Sequence, residues 1–199
     1  MVDKNININL NTTYNTFIQK IELSNGLSYK IFNNEQEITS GNITKGMTLK
    51  IYYNDTLLDT YNIIEEFIDL SKLSIDDTNK IIRESKIGSK IKELKDKIST
   101  SGKITITDKD NKTLADTDII KTGIKVKIEL SSKTYEYQVS LKGEANGDGK
   151  ISLTETTIAF RTKIKKMNLS GVYFDAIDMN NDNKITLTDT TLIFRKKNK

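Results

Sequence analysis

The stretch GEANGDGKISLTE, residues 143–155, sets an oxygen-bearing side chain at every second position, then a glycine, an isoleucine and a closing carboxylate. With Glu144 as position 1 of a twelve-residue loop, side-chain oxygens fall at positions 1 (Glu144), 3 (Asn146), 5 (Asp148), 9 (Ser152) and 12 (Glu155). Lys150 at position 7 offers its backbone carbonyl, Gly149 takes the sharp turn at position 6, and Ile151 at position 8 packs inward. This is the spacing of an EF-hand calcium loop. A tight loop turns alternate side chains toward its centre, where a hard cation such as Ca²⁺ takes about six to eight oxygens.

The same plan returns at an offset of 34 in IDMNNDNKITLTD, residues 177–189. Asp178, Asn180, Asp182, Thr186 and Asp189 fill positions 1, 3, 5, 9 and 12, Lys184 supplies the carbonyl, and Ile185 stands at position 8. Two residues depart from the pattern. Glu144 is one methylene longer than the usual aspartate, and Asn183 replaces glycine at position 6, although asparagine enters the left-handed region more readily than most residues. Two Ca²⁺ ions are expected, one per loop. The plainer alternative is a loop that keeps the shape without the ion.

The flanks decide what kind of calcium protein this could be. A sensor EF-hand needs a helix entering each loop. The residues before the first loop, KTYEYQVSLKG, alternate with period two and read as a strand. Only exiting helices are expected, in LTETTIAFRTKIKKM and LTDTTLIFRKK. Loop plus exiting helix, given twice in GEANGDGKISLTETTIAFR and AIDMNNDNKITLTDTTLIFR, resembles a type I dockerin domain over residues 143–199. The resemblance implies an all-α dockerin with two EF-hand-like calcium loops and no catalytic role. It implies binding to a cohesin module of a scaffoldin or surface protein, attaching a secreted, often polysaccharide-degrading, protein to a cellulosome or to the bacterial cell surface. Carried over, the partner-reading positions are Leu153, Thr154, Phe160 and Arg161 in the first repeat and Leu187, Thr188, Phe194 and Arg195 in the second. Their near-identity implies a pseudo-two-fold surface able to dock in two orientations. The alternative is that one phenylalanine of each pair faces the core.

Calcium is expected to couple to folding, because a segment this short is marginal alone. Its core is expected where Ile151, Ile158, Ala159 and Ile164 meet Ile185, Leu192, Ile193 and the segment around Tyr173 and Phe174.

Upstream, a shift of 77 aligns residues 10–64 with 87–141 without a gap. Phe17 meets Leu94, Ile21 meets Ile98, Ile43 meets Ile120, Gly46 meets Gly123, Leu49 meets Val126 and Ile64 meets Leu141. Each copy reads as strand, helix, strand, strand, strand, with Thr12 or Ser89 as the helix N-cap and Ile91, Leu94 and Ile98 as one helical stripe. The expected fold class is multi-domain: two tandem small α+β modules followed by the all-α dockerin. The expected bounds are 1–66 for the first module, 67–78 for a linker, 79–142 for the second module and 143–199 for the dockerin. The modules, and the strand running into the first loop, also resemble the X-module-like segments beside dockerins in low-GC bacterial surface proteins. Tyr52, Tyr53, Tyr135 and Tyr137 could stack on sugar rings or pair across strands.

The 199 residues include no cysteine, histidine or tryptophan, which removes disulfides, thiolate zinc sites and histidine-based acid–base chemistry. Net charge is +4 with both signs interleaved, and no basic block carries aromatic partners, so nucleic acid is not an expected partner. No window is long and apolar enough to span a membrane. The opening MVDKNININLN has no apolar signal region, so an exported protein is expected here without its leader. No nucleophile–base pair or convergent catalytic carboxylates stand out, and an enzyme is not expected. A surface adhesin or stalk, with a purely structural calcium region, is the rival reading.

Overall fold

A computed structural model describes residues 4–84 and 86–197. Asn198 and Lys199 lie outside the described residues, as do the first three and Ser85. The chain divides into two compact units. One takes the residues up to Ile68 with Thr100–Gly102 and Leu130–Ser132, and the other takes Asp69–Ser99, Lys103–Glu129 and everything from Lys133.

In the first unit, β1 (Asn5–Asn9), the short helix α1 (Tyr14–Ile18), β2 (Leu27–Asn33), β3 (Gln36–Ile38), β4 (Thr48–Tyr53) and β5 (Thr56–Glu66) build a five-stranded sheet. Its order is β1-β5-β4-β2-β3, with β1 and β5 parallel. After β6 (Ile68–Asp69), the second unit holds β7 (Ser74–Asp76), β8 (Ile81–Glu84), α2 (Ile91–Lys95), β10 (Lys103–Thr107), β11 (Lys125–Glu129) and β12 (Thr134–Leu141). Its sheet runs β10-β11-β12-β8-β7, with β8 and β12 parallel. A two-stranded sheet joins β6 to β9 (Ser99–Thr100). Residues 67–78, read as a linker from the sequence, hold β6 and β7, the latter paired with β8. The chain ends in α3 (Leu153–Lys163), α4 (Gly171–Ile177) and α5 (Leu187–Lys197).

The expected fold class is therefore corrected. The described residues are mostly β, with twelve strands in three sheets and five short helices making up 20% of the chain, rather than α+β modules followed by a separate all-α dockerin. The physical reason lies in helix length. α1 and α2 are five residues each, little more than one turn, and make few intrahelical hydrogen bonds. They act as plugs on sheets whose alternating strands bury Leu49 and Ile51 in one unit and Val126 and Ile128 in the other. The helices α3 to α5 fold in the unit that contains the second sheet.

Both helices begin one residue later than expected. Thr13, not Thr12, caps α1 by accepting from the Thr16 amide at 3.3 Å. Lys90, not Ser89, precedes α2, and its amide donates to Glu93 Oε1 at 3.1 Å. The shift of 77 superposes α1 on α2 and sets Gly46 and Gly123 at φ +92° and +91°. In the last strand it fails by one residue. The Ile63 amide bonds to the Met47 carbonyl as the Val139 amide does to Ile124, so Ile63 corresponds to Val139 and the Ile64–Leu141 pairing is a register error. A β-bulge between Ile51 and Tyr52 in the β4–β5 pair takes up the extra residue.

Of the four tyrosines, Tyr137 is in the core, 4% exposed, and donates to Asp77 at 3.1 Å. Burial, then Asp77, pushes its pKa up to about 12. Tyr53 is half exposed, while the Lys30 and Lys133 ammonium groups lie over the rings of Tyr52 and Tyr135.

Candidate metal centre

β12 runs straight into the first loop, and Gly143 joins them by donating to the Ala176 carbonyl at 2.7 Å. Both loops fold alike. Positions 4 and 6 take left-handed backbone: Gly147 (+79°) and Gly149 (+83°) in the first, Asn181 (+57°) and Asn183 (+62°) in the second. The asparagine at position 6 thus does the work of the missing glycine. Ile151 and Ile185 at position 8 are half-buried against a small core of Ala145, Ala159, Ile177 and Ile193. Ile158 joins this core, as do Leu169 and Met179, which the sequence did not single out. Ile164, expected inside, is 37% exposed.

In the first loop the carboxylates converge. Glu144, Asp148 and Glu155 bring one oxygen each within 4.8 Å of one another, the one group of three acidic side chains so placed among the described residues. Glu144 and Glu155 are fully buried, and Asp148 is exposed. Glu144 Oε1 accepts the amides of Asn146 at 3.0 Å, Asp148 at 3.1 Å and Gly147, and its Oε2 accepts the Thr122 amide at 2.8 Å. Asn146 Oδ1 accepts from the Asp148 amide at 3.0 Å, and Asp148 Oδ1 from the Lys150 amide at 2.7 Å. Ser152 caps α3 by accepting from the Thr154 amide at 3.0 Å, and donates from its amide and hydroxyl to Glu155 Oε2. This capping box occupies one oxygen of Glu155. The other, Oε1, is buried without a hydrogen-bond partner.

An ionised carboxylate oxygen left bare inside a protein is costly. A cation at the centre of the triad supplies what Glu155 Oε1 lacks, so the residues fit a metal ion. The donor set is all oxygen, and the chain has neither histidine nor cysteine, which suits a hard cation.

The second loop repeats the bonds but not the convergence. Asp178 accepts the amides of Asp182 at 3.2 Å and Asn183 at 2.8 Å, and Asp182 Oδ1 accepts from Lys184 at 2.9 Å. Thr186 caps α5 through the Thr188 amide at 3.1 Å. Asp189 Oδ2 accepts the Thr186 amide and hydroxyl, both at 2.9 Å, and Oδ1 accepts the Met179 amide at 2.9 Å. Both oxygens of Asp189 are thus engaged. With aspartate at positions 1 and 12, each side chain is one methylene shorter than in the first loop. Asp178, Asp182 and Asp189 are not drawn into a triad of the first loop's kind.

Two residues outside the loops hold them and were missed by the sequence reading. Thr122 bonds Glu144, and the Lys142 ammonium donates to the carbonyls of Asp175 and Asp178, the latter at 2.9 Å. Lys142 also pairs with Asp175 Oδ2 at 3.0 Å, and Arg83 bridges Asp175 at 2.7 Å and Asp76 at 3.0 Å. Burial lowers the Lys142 pKa against the pull of Asp175. The only sequence signal for either was that β12 enters the first loop without a spacer.

The partner-reading positions of the sequence analysis all lie on the surface. Leu153, Phe160, Leu187 and Phe194 are large exposed apolar side chains, and Thr154, Arg161, Thr188 and Arg195 are exposed beside them. No helix among the described residues is long and apolar enough to cross a membrane. No family model matches the chain, and no match is found to a curated protein or a solved structure.

Proposed function

We propose that residues 143–199 act as a calcium-dependent, non-catalytic docking segment that binds a cohesin and attaches a secreted bacterial protein to a scaffold or to the cell surface. In this reading each loop holds one Ca²⁺. Glu144, Asn146, Asp148, Ser152 and Glu155 ligate through side chains and Lys150 through its carbonyl, with Asp178, Asn180, Asp182, Thr186, Asp189 and Lys184 in the same roles. Calcium is favoured over magnesium because a long loop of many oxygen donors suits flexible high coordination, whereas Mg²⁺ keeps its waters.

The observation that carries docking is a surface given twice. Leu153 and Leu187 are 56% and 54% exposed, and Phe160 and Phe194 are both 44% exposed. Each phenylalanine precedes an exposed arginine on a helix that leaves a loop. Solvent-facing Leu and Phe cost free energy unless a partner covers them, and Phe with Arg makes good interface anchors. Two equivalent faces would let one partner bind in either of two orientations.

The test is titration of the full chain against a panel of type I cohesin modules, in calcium and in chelator. One cohesin per chain is expected, with binding abolished by chelator. Phe160→Ala or Phe194→Ala alone should weaken binding less than about tenfold, and the pair together by about a hundredfold or more. No binding across the panel rejects docking, and binding that survives both substitutions rejects Phe160 and Phe194 as its anchors. A structural stalk is the second reading, supported by the bonds from Thr122 and Lys142 that tie both loops to the residues of the second sheet. It keeps calcium-dependent stability and binds no cohesin.

A further inference from the structure

We infer that Thr122, outside both twelve-residue loops, is a positioning residue for the cation site of the first loop, so that the second sheet completes that site. The inference rests on the calcium reading above.

Thr122 is 3% exposed and lies in the turn that leads into β11. Three of its bonds converge on the start of the loop. Its amide donates to Glu144 Oε2 at 2.8 Å, its hydroxyl donates to the Glu144 carbonyl at 2.7 Å, and that hydroxyl accepts from the Leu141 amide at 3.1 Å. One residue therefore grips both the backbone and the carboxylate of position 1, and ties them to the last residue of β12.

The turn cannot shift freely. Gly123 stands at φ +91°, and the Tyr173 hydroxyl of α4 lies 2.4 Å from where a Cβ would be. On the other side, a Cβ on Gly147 in the loop itself would lie 3.2 Å from the Thr122 carbonyl. Thr122 is thus held between the loop and α4. A glutamate at position 1 has one more rotatable bond than the usual aspartate, and its aim needs a support from outside the loop. Loop amides hold only Oε1 of Glu144, and Oε2 is fixed from outside by the Thr122 amide, whereas both oxygens of the shorter Asp178 are held by amides of its own loop, those of Asp182 and Asn183. Outer hydrogen-bond partners of this kind orient a ligand and typically change metal affinity by about tenfold to a hundredfold.

The test is calorimetric calcium titration of the full chain in an Asp182→Ala background, which reports the first loop. Thr122→Val removes the hydroxyl at nearly constant shape and should weaken binding about tenfold, while Thr122→Ser should restore it to within about twofold. Equal affinity in the valine variant and its parent overturns the inference and leaves the calcium reading standing. No calcium binding by the parent overturns both. Should Thr122→Val fail to fold, hydrogen exchange on the unsubstituted chain decides. Calcium should raise protection at the Thr122 and Leu141 amides about tenfold. Protection gained at Asn146 and Asp148 but unchanged at those two overturns the inference.

Discussion

The first and second loops share a spacing, a pair of left-handed turns and a capped exit helix, yet only the first draws its three carboxylates into one cluster. The difference lies in two methylenes. Glutamate at positions 1 and 12 reaches the centre after satisfying the backbone, and Glu155 still has one buried oxygen to spare. At position 1 both loops give the two carboxylate oxygens to backbone amides, but at position 12 Asp189 spends both of its oxygens on the amides of Met179 and Thr186. Spacing thus sets the course of the backbone, while side-chain length sets how strongly the site is primed for a cation.

If both loops bind calcium, chelation has the largest effect. At free calcium about 100 times Kd, one site adds about 2.7 kcal/mol. For a chain of this size its loss lowers the thermal midpoint by about 5–10 °C, with loss of helical circular dichroism from α3 and α5. A melting curve unchanged by chelator would remove the metal from both loops at once. The next effect separates them. Glu155→Gln should weaken calcium at the first loop by about a hundredfold, close to 2.7 kcal/mol. Asp189→Asn should cost the second loop only about tenfold, because Asp189 already serves the backbone. Calorimetry on each variant checks this, and equal losses would break the comparison.

How far the sequence could be read follows from the same division. Position 8 isoleucines and left-handed residues at position 6 are local requirements, so Ile151, Gly149 and Asn183 were legible one by one, whereas Ser152 was legible as a loop oxygen but not as the cap of α3. The apolar period likewise brought out Phe17 with Leu94 and Ile43 with Ile120, all buried. A single-residue bulge leaves no mark in an alternating pattern, since a slip of one exchanges faces but not composition. That is why Ile64 was matched to Leu141 while hydrogen bonding matches Ile63 to Val139. The helices α1 and α2 were over-read for a related reason: Ile98 completes a stripe, but α2 ends at Lys95 and Ile98 is buried from the turn beyond it. Thr122 was invisible because its role depends on a contact across 22 residues, which no local spacing encodes.

The smallest expected effect tests how the two loops are anchored. Thr122 holds the start of the first loop through a neutral hydroxyl on the Glu144 carbonyl, whereas the Asp178 carbonyl of the second is held by Lys142, itself paired with Asp175. Burial alone would raise the Asp175 pKa, but the bonds from Arg83 and the charge of Lys142 outweigh it and hold the carboxyl below its usual range. Asp76, on the far side of Arg83, is lowered to about 2 by the backbone and side chain of Asn79 and by Arg83. Both carboxyls are depressed in the folded state, so as pH falls the unfolded chain takes up their protons first. Their stabilisation is complete above the unfolded value of about 4 and is lost as pH falls through the folded values. In chelator, Asp175→Asn should therefore lower the thermal midpoint by a few degrees, on the order of 1 kcal/mol, at pH 5. As pH falls from 5 through the lowered folded value of Asp175 the gap should narrow, since a protonated Asp175 carries no more charge than the amide. A gap that stays constant across this range would mean that Asp175 acts by shape and not by charge, and the contrast between a neutral and an ionic anchor would fall with it.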